Sequence, residues 1–223
     1  MNYLHFIWKN MVRNRRRTVL TVLSIALSLF VLATLMTVLT ELNREPEGED
    51  THLRLVVRRA SSLGDRLPEA YAAKLARVPG VRIVHALTWF GGIYIDEANF
   101  FANFACDPDT LFPVFPENRI PPEQLKAFQK EQTAAVAGRK LVERFKWRLG
   151  DRITLQGTIY PVDLEFVLRG IYTGTDETAF FFHRAYLEES LGRPGKVGTF
   201  WLKAASAADI PRIIDTVDRK SVV

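Results

Sequence analysis

The sequence predicts an α+β fold with one transmembrane helix near the N-terminus and a mixed α+β domain after it. Two observations support this prediction. Residues 19 to 39 form an apolar run without a charged residue. The rest of the chain mixes helical and strand periodicity without a regular βαβ alternation. With 223 residues, the chain is long enough for one or two domains with hydrophobic cores.

The first segment, residues 1 to 17, is basic and amphipathic. Apolar side chains recur there at helical spacing, at Leu4, Ile7, Trp8 and Met11, which predicts a short amphipathic helix. Such a helix lies either in the membrane interface or against a cytoplasmic partner. The basic residues of the segment are Lys9, Arg13, Arg15, Arg16 and Arg17.

The charge of the chain is concentrated in this segment. The whole chain has 30 basic and 25 acidic residues, and the first 17 residues hold five basic ones and no acid. The remainder therefore has 25 of each. A body without net charge does not support nucleic-acid binding through a basic surface, so we expect no nucleic-acid partner.

Residues 18 to 42 are predicted to be a transmembrane helix in a lipid bilayer. The uncharged run from Val19 to Leu39 would be about 31 Å long as a helix, close to the roughly 30 Å of a bilayer core. It is too long for the apolar region of a signal peptide, and no small-residue cleavage site follows it.

The flanks of the predicted span set its orientation. Basic residues beside a span are retained in the cytoplasm, so the five basic residues of the first segment are candidate topology anchors. This places the N-terminus inside and residues 43 to 223 outside the cytoplasm. Within the span, Ser24 and Ser28 are four residues apart and form a candidate helix-packing face.

The region after the span begins with a polar, acidic linker, residues 43 to 51, followed by a domain predicted over residues 52 to 218. Its first half reads as a strand at 52 to 59, a helix from Pro68 to Val78 and an alternating strand at 81 to 89. Residues 99 to 116 are rich in Phe and Pro and are predicted to be a loop. Its aromatic side chains either fill a core or form an exposed apolar patch.

The second half of the domain also mixes helices and strands. The expected elements are a helix at 123 to 130, a strand at 133 to 137, a helix opened by Gly138, and a turn at Leu149-Gly150-Asp151. Two strands at 153 to 155 and 162 to 168 follow. Helix, strand and helix are then predicted at 183 to 191, 197 to 202 and 206 to 218.

Sequence motifs of common enzyme classes are missing. The chain has no phosphate-binding loop, dinucleotide-binding glycine motif or nucleophile elbow. Its four histidines have no metal-ligand spacing, and Cys106 is the only cysteine. We therefore expect no catalytic residue, metal site or cofactor, and no enzymatic activity. Asp176 and Glu177 are interpreted as a solvated loop.

Several motifs resemble those of the MacB/FtsX-like family of ABC transporter permeases. They are WKNMVRNRRRT at residues 8 to 18, VPGV at residues 78 to 81, VAGRKLVERFKWRLGDRITL at residues 136 to 155, and Gly170-Ile171. Their order and spacing match the family over nearly the whole chain. The resemblance implies a MacB-like periplasmic core domain for the extracytoplasmic region.

The resemblance also implies a function and partners. It implies a permease subunit in the inner membrane that forms a homodimer or a heterodimer with another permease. The permease would couple a separate cytoplasmic ABC ATPase to the external domain as a transporter or a mechanotransmission complex. ATP hydrolysis would occur in the partner subunit.

One departure from the family keeps a second interpretation open. Family permeases have three further membrane helices after the external domain, and this sequence ends at Val223. We therefore expect an N-terminal fragment, with residues 219 to 223 as a possible truncation scar. The alternative is a complete single-pass receptor or adaptor with an extracytoplasmic ligand-binding domain. An envelope enzyme is a third option, which the missing motifs disfavour.

Overall fold

A computed structural model of the chain describes residues 13–42, 51–59 and 65–220. It divides into two compact units, residues 1–46 and residues 47–223. Most of the predicted amphipathic helix, linker residues 43 to 50 and the last three residues lie outside the described residues.

The first unit contains one long helix, α1 (Arg15–Leu42). The predicted transmembrane segment is therefore helical throughout. Most of its hydroxyl groups are satisfied along the helix, since Thr21, Ser28, Thr34, Thr37 and Thr40 each donate to the carbonyl oxygen four residues earlier. A helix with apolar residues on all sides and internally bonded hydroxyls is suited to a lipid environment.

The second unit is built on an eight-stranded sheet with helices packed against it. Its strands, in chain order, are β1 (Arg54–Val57), β3 (Val81–Trp89), β4 (Ala102–Cys106), β5 (Ala134–Gly138), β6 (Arg152–Leu155), β7 (Leu164–Tyr172), β8 (Ala179–His183) and β10 (Thr199–Ala204). A separate pair joins β2 (Leu67–Pro68) to β9 (Lys196–Val197). The helices are α2 (Tyr71–Leu75), α3 (Pro108–Val114), α4 (Pro122–Lys130), α5 (Arg139–Phe145), α6 (Arg184–Ser190) and α7 (Ile210–Lys220).

The strand order in the large sheet is β1-β10-β3-β4-β8-β5-β7-β6. The pairs β4–β8 and β5–β7 are parallel, and the other neighbours are antiparallel. Strand β1 from the start of the domain pairs with β10 near its end. The mixed sheet confirms the predicted α+β class.

The core is formed by three clusters of buried apolar side chains. The first is aromatic and includes Phe166, Phe180 and Phe182. The second packs α7 against the sheet through Ile213, and the third buries Phe128 of α4. Strands β5 and β8 are buried at every position, because they lie in the middle of the sheet with side chains packed on both faces.

Two predictions about the elements are wrong, and one strand was missed. Pro68 belongs to β2 and not to a helix, which begins only at Tyr71. The segment 99 to 116 contains β4 and α3 and is not a loop. Strand β8 was not predicted at all, because a strand buried on both faces lacks the alternation of apolar and polar residues on which the prediction relied.

The remaining elements of the domain agree with the prediction within a few residues. Strand β3 spans residues 81 to 89 as predicted, and α4 and α5 lie where helical spacing placed them. The turn before β6 is also present. Gly150 has a φ of +95° there, and the Asp151 carboxylate accepts a hydrogen bond from the Arg148 N–H at 2.7 Å.

Candidate functional site

The N-terminal end of α1 is a candidate membrane anchor. Arg13, Arg15, Arg16 and Arg17 are all exposed there, directly before the uncharged stretch of the helix. Lys9, the fifth predicted topology anchor, lies outside the described residues. An 18-residue window of α1 has a mean hydropathy of 2.5, and among the described residues no other helix is long and apolar enough to cross a membrane.

Ser24 and Ser28, the predicted packing face, lie one turn apart on α1, and both are exposed. The Ser28 hydroxyl donates to the Ser24 carbonyl oxygen at 2.9 Å. This bond satisfies the Ser28 donor within the helix and leaves a small side chain at the surface. Small side chains at this spacing allow a second helix to approach closely.

The external domain contains a surface cavity of about 570 Å³, open to solvent, between α4, α5 and the end of β7. The side chains of Arg119 and Arg139 contribute positive charge, and Glu143 is the acidic residue among its lining residues. Gln124 is fixed in the wall, since its Oε1 accepts the Ile171 N–H at 2.8 Å. The volume lies within the range of about 300 to 1,000 Å³ that is typical of small-molecule sites.

A polar cluster lies where β4 ends. Arg184 donates to the Asp107 carboxylate at 3.0 Å and to the Glu69 carboxylate at 2.8 Å. Nearby, His85 is buried, and its Nδ1 lies 2.8 Å from Thr110 Oγ1. Burial and then the Arg184 charge lower the pKa of His85 to about 4. The cluster holds an ion-pair network beside a neutral histidine.

Candidate nucleophiles and metal ligands are not assembled into a site within the described residues. Cys106 is buried, and burial raises the pKa of its thiol. His183 is also buried and contacts the carbonyl oxygen of Phe128 through Nε2 at 2.5 Å. No group of three His, Cys, Asp or Glu side chains among the described residues could hold a metal ion. A buried thiol with a raised pKa is a poor nucleophile, and the Nε2 atom of His183 is already engaged by a backbone carbonyl oxygen.

The aromatic segment around β4 belongs mainly to the core. Phe101 is buried, and Phe104, Phe112 and Phe115 pack against the third core cluster. Phe100 is exposed, with its ring centroid 6.0 Å from that of Trp89. The core interpretation of these aromatic residues is therefore correct for most of them.

The sequence did not mark the residues of the cavity as a site. Arg119 and Gln124 belong to no motif, whereas Arg139 and Ile171 lie in the segments quoted above for their family resemblance, at residues 136 to 155 and 170 to 171. Only the pairing of β7 with β5, and the packing of α4 on β7, bring them together. No local spacing in the chain connects these four positions.

Comparison with known proteins finds the family model of the MacB-like periplasmic core domain matching residues 18–220. The fold is similar to that of the extracellular domain of the noncanonic ABC-type transporter YknZ from Gram-positive bacteria. The TM-score is 0.54 at 14% identity, over 72% of this chain and 86% of that chain.

The fold is also similar to that of the periplasmic region of MacB from Actinobacillus actinomycetemcomitans. The TM-score is 0.57 at 11% identity, over 75% of this chain and 84% of that chain. No curated protein matches the sequence. The family model covers most of the chain, and the two solved structures have a fold similar to that of this chain. The chain therefore belongs to the family of MacB-like periplasmic core domains, a domain of ABC-type transporter permeases.

Proposed function

We propose that this chain is the membrane subunit of an ABC-type transporter or mechanotransmission complex, and that it couples a separate cytoplasmic ATPase to an external domain. One observation carries the proposal. A helix long and apolar enough to span a membrane stands in the same chain as a MacB-like periplasmic core domain.

The orientation that we propose follows from charge. The exposed arginines at the N-terminal end of α1, Arg13 and Arg15 to Arg17, would be retained on the cytoplasmic side. Residues 43 to 223 would then lie outside the cytoplasm, in the periplasm if the membrane is a bacterial inner membrane. The basic N-terminal segment would be the part of the chain that an ATPase can reach.

We propose that this chain catalyses no reaction itself. The sequence carries no nucleotide-binding motif, so ATP hydrolysis is assigned to the partner subunit. The function of this chain would be to transmit motion between its cytoplasmic segment and its external domain. We further propose that Ser24 and Ser28 pack against a helix of a second permease, identical or different, because small residues let membrane helices approach.

Site-specific photo-crosslinking tests the proposed partner. A benzophenone amino acid replaces Trp8 in the N-terminal segment of the full chain, and a matched control carries it at Thr158 in the external domain. We expect the Trp8 probe alone to crosslink an ABC-type ATPase, identified by mass spectrometry of the crosslinked band. Crosslinking of an ATPase through Thr158, or through neither site, would contradict the proposal.

A reconstitution measures the coupling itself. The captured ATPase is assayed with the full chain in nanodiscs, and with a variant in which Arg15, Arg16 and Arg17 are replaced by Gln. We expect the full chain to change the ATPase rate and the variant to change it less. If the full chain leaves the rate of ATP hydrolysis unchanged, the proposed coupling is contradicted.

The cavity supports a second candidate, a single-pass receptor or adaptor with a ligand-binding external domain. The two candidates differ in what they require. A receptor binds its ligand with no ATPase present, and its basic segment crosslinks no ATPase. The crosslinking experiment therefore separates them.

A further inference from the structure

The cavity beside α5 offers hydrogen-bond donors to a ligand. Within the described part of the chain, neither the Arg119 nor the Arg139 guanidinium has a hydrogen-bond or ion-pair partner. The Gln124 Oε1 is already occupied by the Ile171 N–H, so the Gln124 amide is left with its NH₂ group to donate. Two guanidinium groups and an amide donor favour an anion.

Apolar side chains also line the cavity, at Ile120, Pro121, Val142 and Ile171. They have no polar atoms, so they favour contact with an aliphatic group over contact with water. The lining therefore combines hydrogen-bond donors with apolar side chains, and its ligand should have both kinds of surface.

The backbone holds both arginines in place. Arg119 and Thr173 exchange two backbone hydrogen bonds, with N···O distances of 2.7 and 2.9 Å. Arg139 opens α5, whose Leu141 N–H donates to the Glu177 carbonyl oxygen at 3.2 Å. The backbone at both positions is therefore fixed, and it is the two exposed side chains that lose conformational freedom when a ligand binds.

We propose that this cavity binds a phosphate monoester with an aliphatic group, in which the phosphate accepts from Arg119 and Arg139 and the aliphatic group contacts the apolar side chains. Both arginines line the same cavity, so one ligand can accept from both. A carboxylate has two oxygens, which a single guanidinium fork can occupy, whereas a phosphate monoester has a third terminal oxygen for the second guanidinium.

The net charge of the cavity limits the charge of the ligand. Two arginines and Glu143 give the lining a formal charge of plus one. A phosphate monoester carries about −1.5 to −2 at neutral pH, which the two guanidinium groups can balance, whereas the higher charge of a polyphosphate would be repelled by the Glu143 carboxylate. The same phosphate monoester occurs in the headgroup of phosphatidic acid and in a free alkyl phosphate.

Calorimetric titration of the full chain with n-hexyl phosphate tests the site. The chain is held in phosphatidylcholine nanodiscs, with inorganic phosphate and hexanoate as comparison ligands. We expect saturable binding of hexyl phosphate that is tighter than binding of either comparison ligand. Hexanoate binding as tight as hexyl phosphate would overturn the preference for phosphate, and no saturable binding would overturn the site.

Three variants assign the binding to these residues. We expect Arg119→Gln combined with Arg139→Gln to weaken hexyl phosphate binding about tenfold or more, since hydrogen bonds to charged groups are lost. Gln124→Glu keeps an acceptor for the Ile171 N–H but replaces the amide donor by a carboxylate, so it should also weaken binding. Arg148→Gln, an exposed arginine outside the cavity, is the control and should not. Equal effects of the control and the cavity variants would overturn the proposal.

A last titration separates the two sources of the phosphate. The hexyl phosphate affinity is compared in nanodiscs with and without phosphatidic acid. A weaker apparent affinity with phosphatidic acid identifies a lipid headgroup as the occupant, and an unchanged affinity identifies a free phosphate ester. Both results support the phosphate site. If the preceding titrations find no such site, the proposed coupling to an ATPase is not affected, because it rests on other observations.

Discussion

Arg54 Nη1 lies 2.5 Å from Glu117 Oε1, and both side chains are largely shielded from water, with 9% and 18% of their surface exposed. Arg54 is the first residue of β1, an edge strand of the large sheet. Its guanidinium also lies over the Phe115 ring, 5.0 Å from the ring centroid. The pair therefore fixes the beginning of the domain fold to the segment that follows α3.

We expect Arg54→Ala to lower the free energy of unfolding of the domain by about 3 kcal/mol, because it leaves a buried carboxylate without its partner. The Oε2 atom of Glu117 already has no hydrogen-bond partner among the described residues. Urea denaturation of the full chain in detergent, followed by tryptophan fluorescence, measures the loss.

The control replaces both charges, as Arg54→Met with Glu117→Gln. Removing the two charges together avoids the unpaired carboxylate, so this double variant should lose about 1 kcal/mol. A double variant as unstable as Arg54→Ala would mean that packing, and not the ion pair, holds β1.

His85 gives the domain a stability that depends on pH. Burial and the Arg184 charge lower its pKa from 6.5 to about 4 in the folded chain, so the unfolded chain takes up a proton at a higher pH than the folded chain does. The resulting stability is complete above pH 6.5 and falls as the pH is lowered toward 4. The loss from this residue should reach about 3 kcal/mol.

The comparison of wild type with His85→Asn isolates this contribution from other titrating groups. We expect the difference in unfolding free energy between the two proteins to shrink as the pH falls from 7 to 4. Urea denaturation at half-unit steps of pH measures it. A difference that stays constant over this range would show that His85 does not carry the pH dependence.

Asn103 links β4 to the backbone of the glycine pair that follows β3. Its Oδ1 accepts the Gly92 N–H at 2.8 Å, and its Nδ2 donates to the carbonyl oxygens of Gly92 and Phe101 at 2.9 Å each. Asn103 is fully buried. We expect Asn103→Ala to cost about 2 to 3 kcal/mol of unfolding free energy, because backbone groups lose their partners without access to water.

Asn103→Asp distinguishes the acceptor from the donor. Aspartate keeps the acceptor for the Gly92 N–H but brings a buried charge close to two carbonyl oxygens. We expect it to be at least as destabilising as Asn103→Ala in the same denaturation assay. An Asp variant close to wild type would mean that only the accepted bond matters.

The sequence predicted those elements whose pattern is local. Helix α1 follows from the length and lack of charge of residues 19 to 39, and β7 from the alternation of apolar and polar residues around Phe166 and Leu168. The turn before β6 follows from Leu149-Gly150-Asp151. In each case a short window contains all the information that the prediction needs.

The elements that were missed depend on distant partners. Strand β8 is buried by neighbours on both sides, and its parallel partner β4 lies more than seventy residues earlier in the chain. Arg184 binds Glu69, which is 115 residues away. The cavity has the same origin, since packing against the sheet brings the segments that carry Arg119 and Arg139 to one cavity. Local periodicity carries no information about such pairs.

Gly138 allows α5 to pack closely on the loop before β8. A Cβ at this position would overlap the backbone of Glu177. We expect Gly138→Ala to lower the free energy of unfolding by about 3 kcal/mol, since the backbone cannot move as a flexible side chain would.

The control is Gly192→Ala, where a Cβ meets no atom but φ is +73°. It should cost about 1 to 2 kcal/mol. Equal losses in urea denaturation would contradict the steric explanation.

The basic end of α1 should decide how the chain sits in the membrane. We expect replacement of Arg13, Arg15, Arg16 and Arg17 by Glu to disturb or invert the insertion, because basic residues beside a span are retained in the cytoplasm. Lys130→Cys, exposed on α4, reports the side on which the domain lies, and buried Cys106 should not react. A membrane-impermeant maleimide should label Lys130→Cys in spheroplasts and lose this labelling when the arginines are reversed. Cells with broken membranes, labelled in parallel, show that the cysteine itself remains reactive. Labelling that is equal with and without the four arginines would show that another part of the chain sets the orientation.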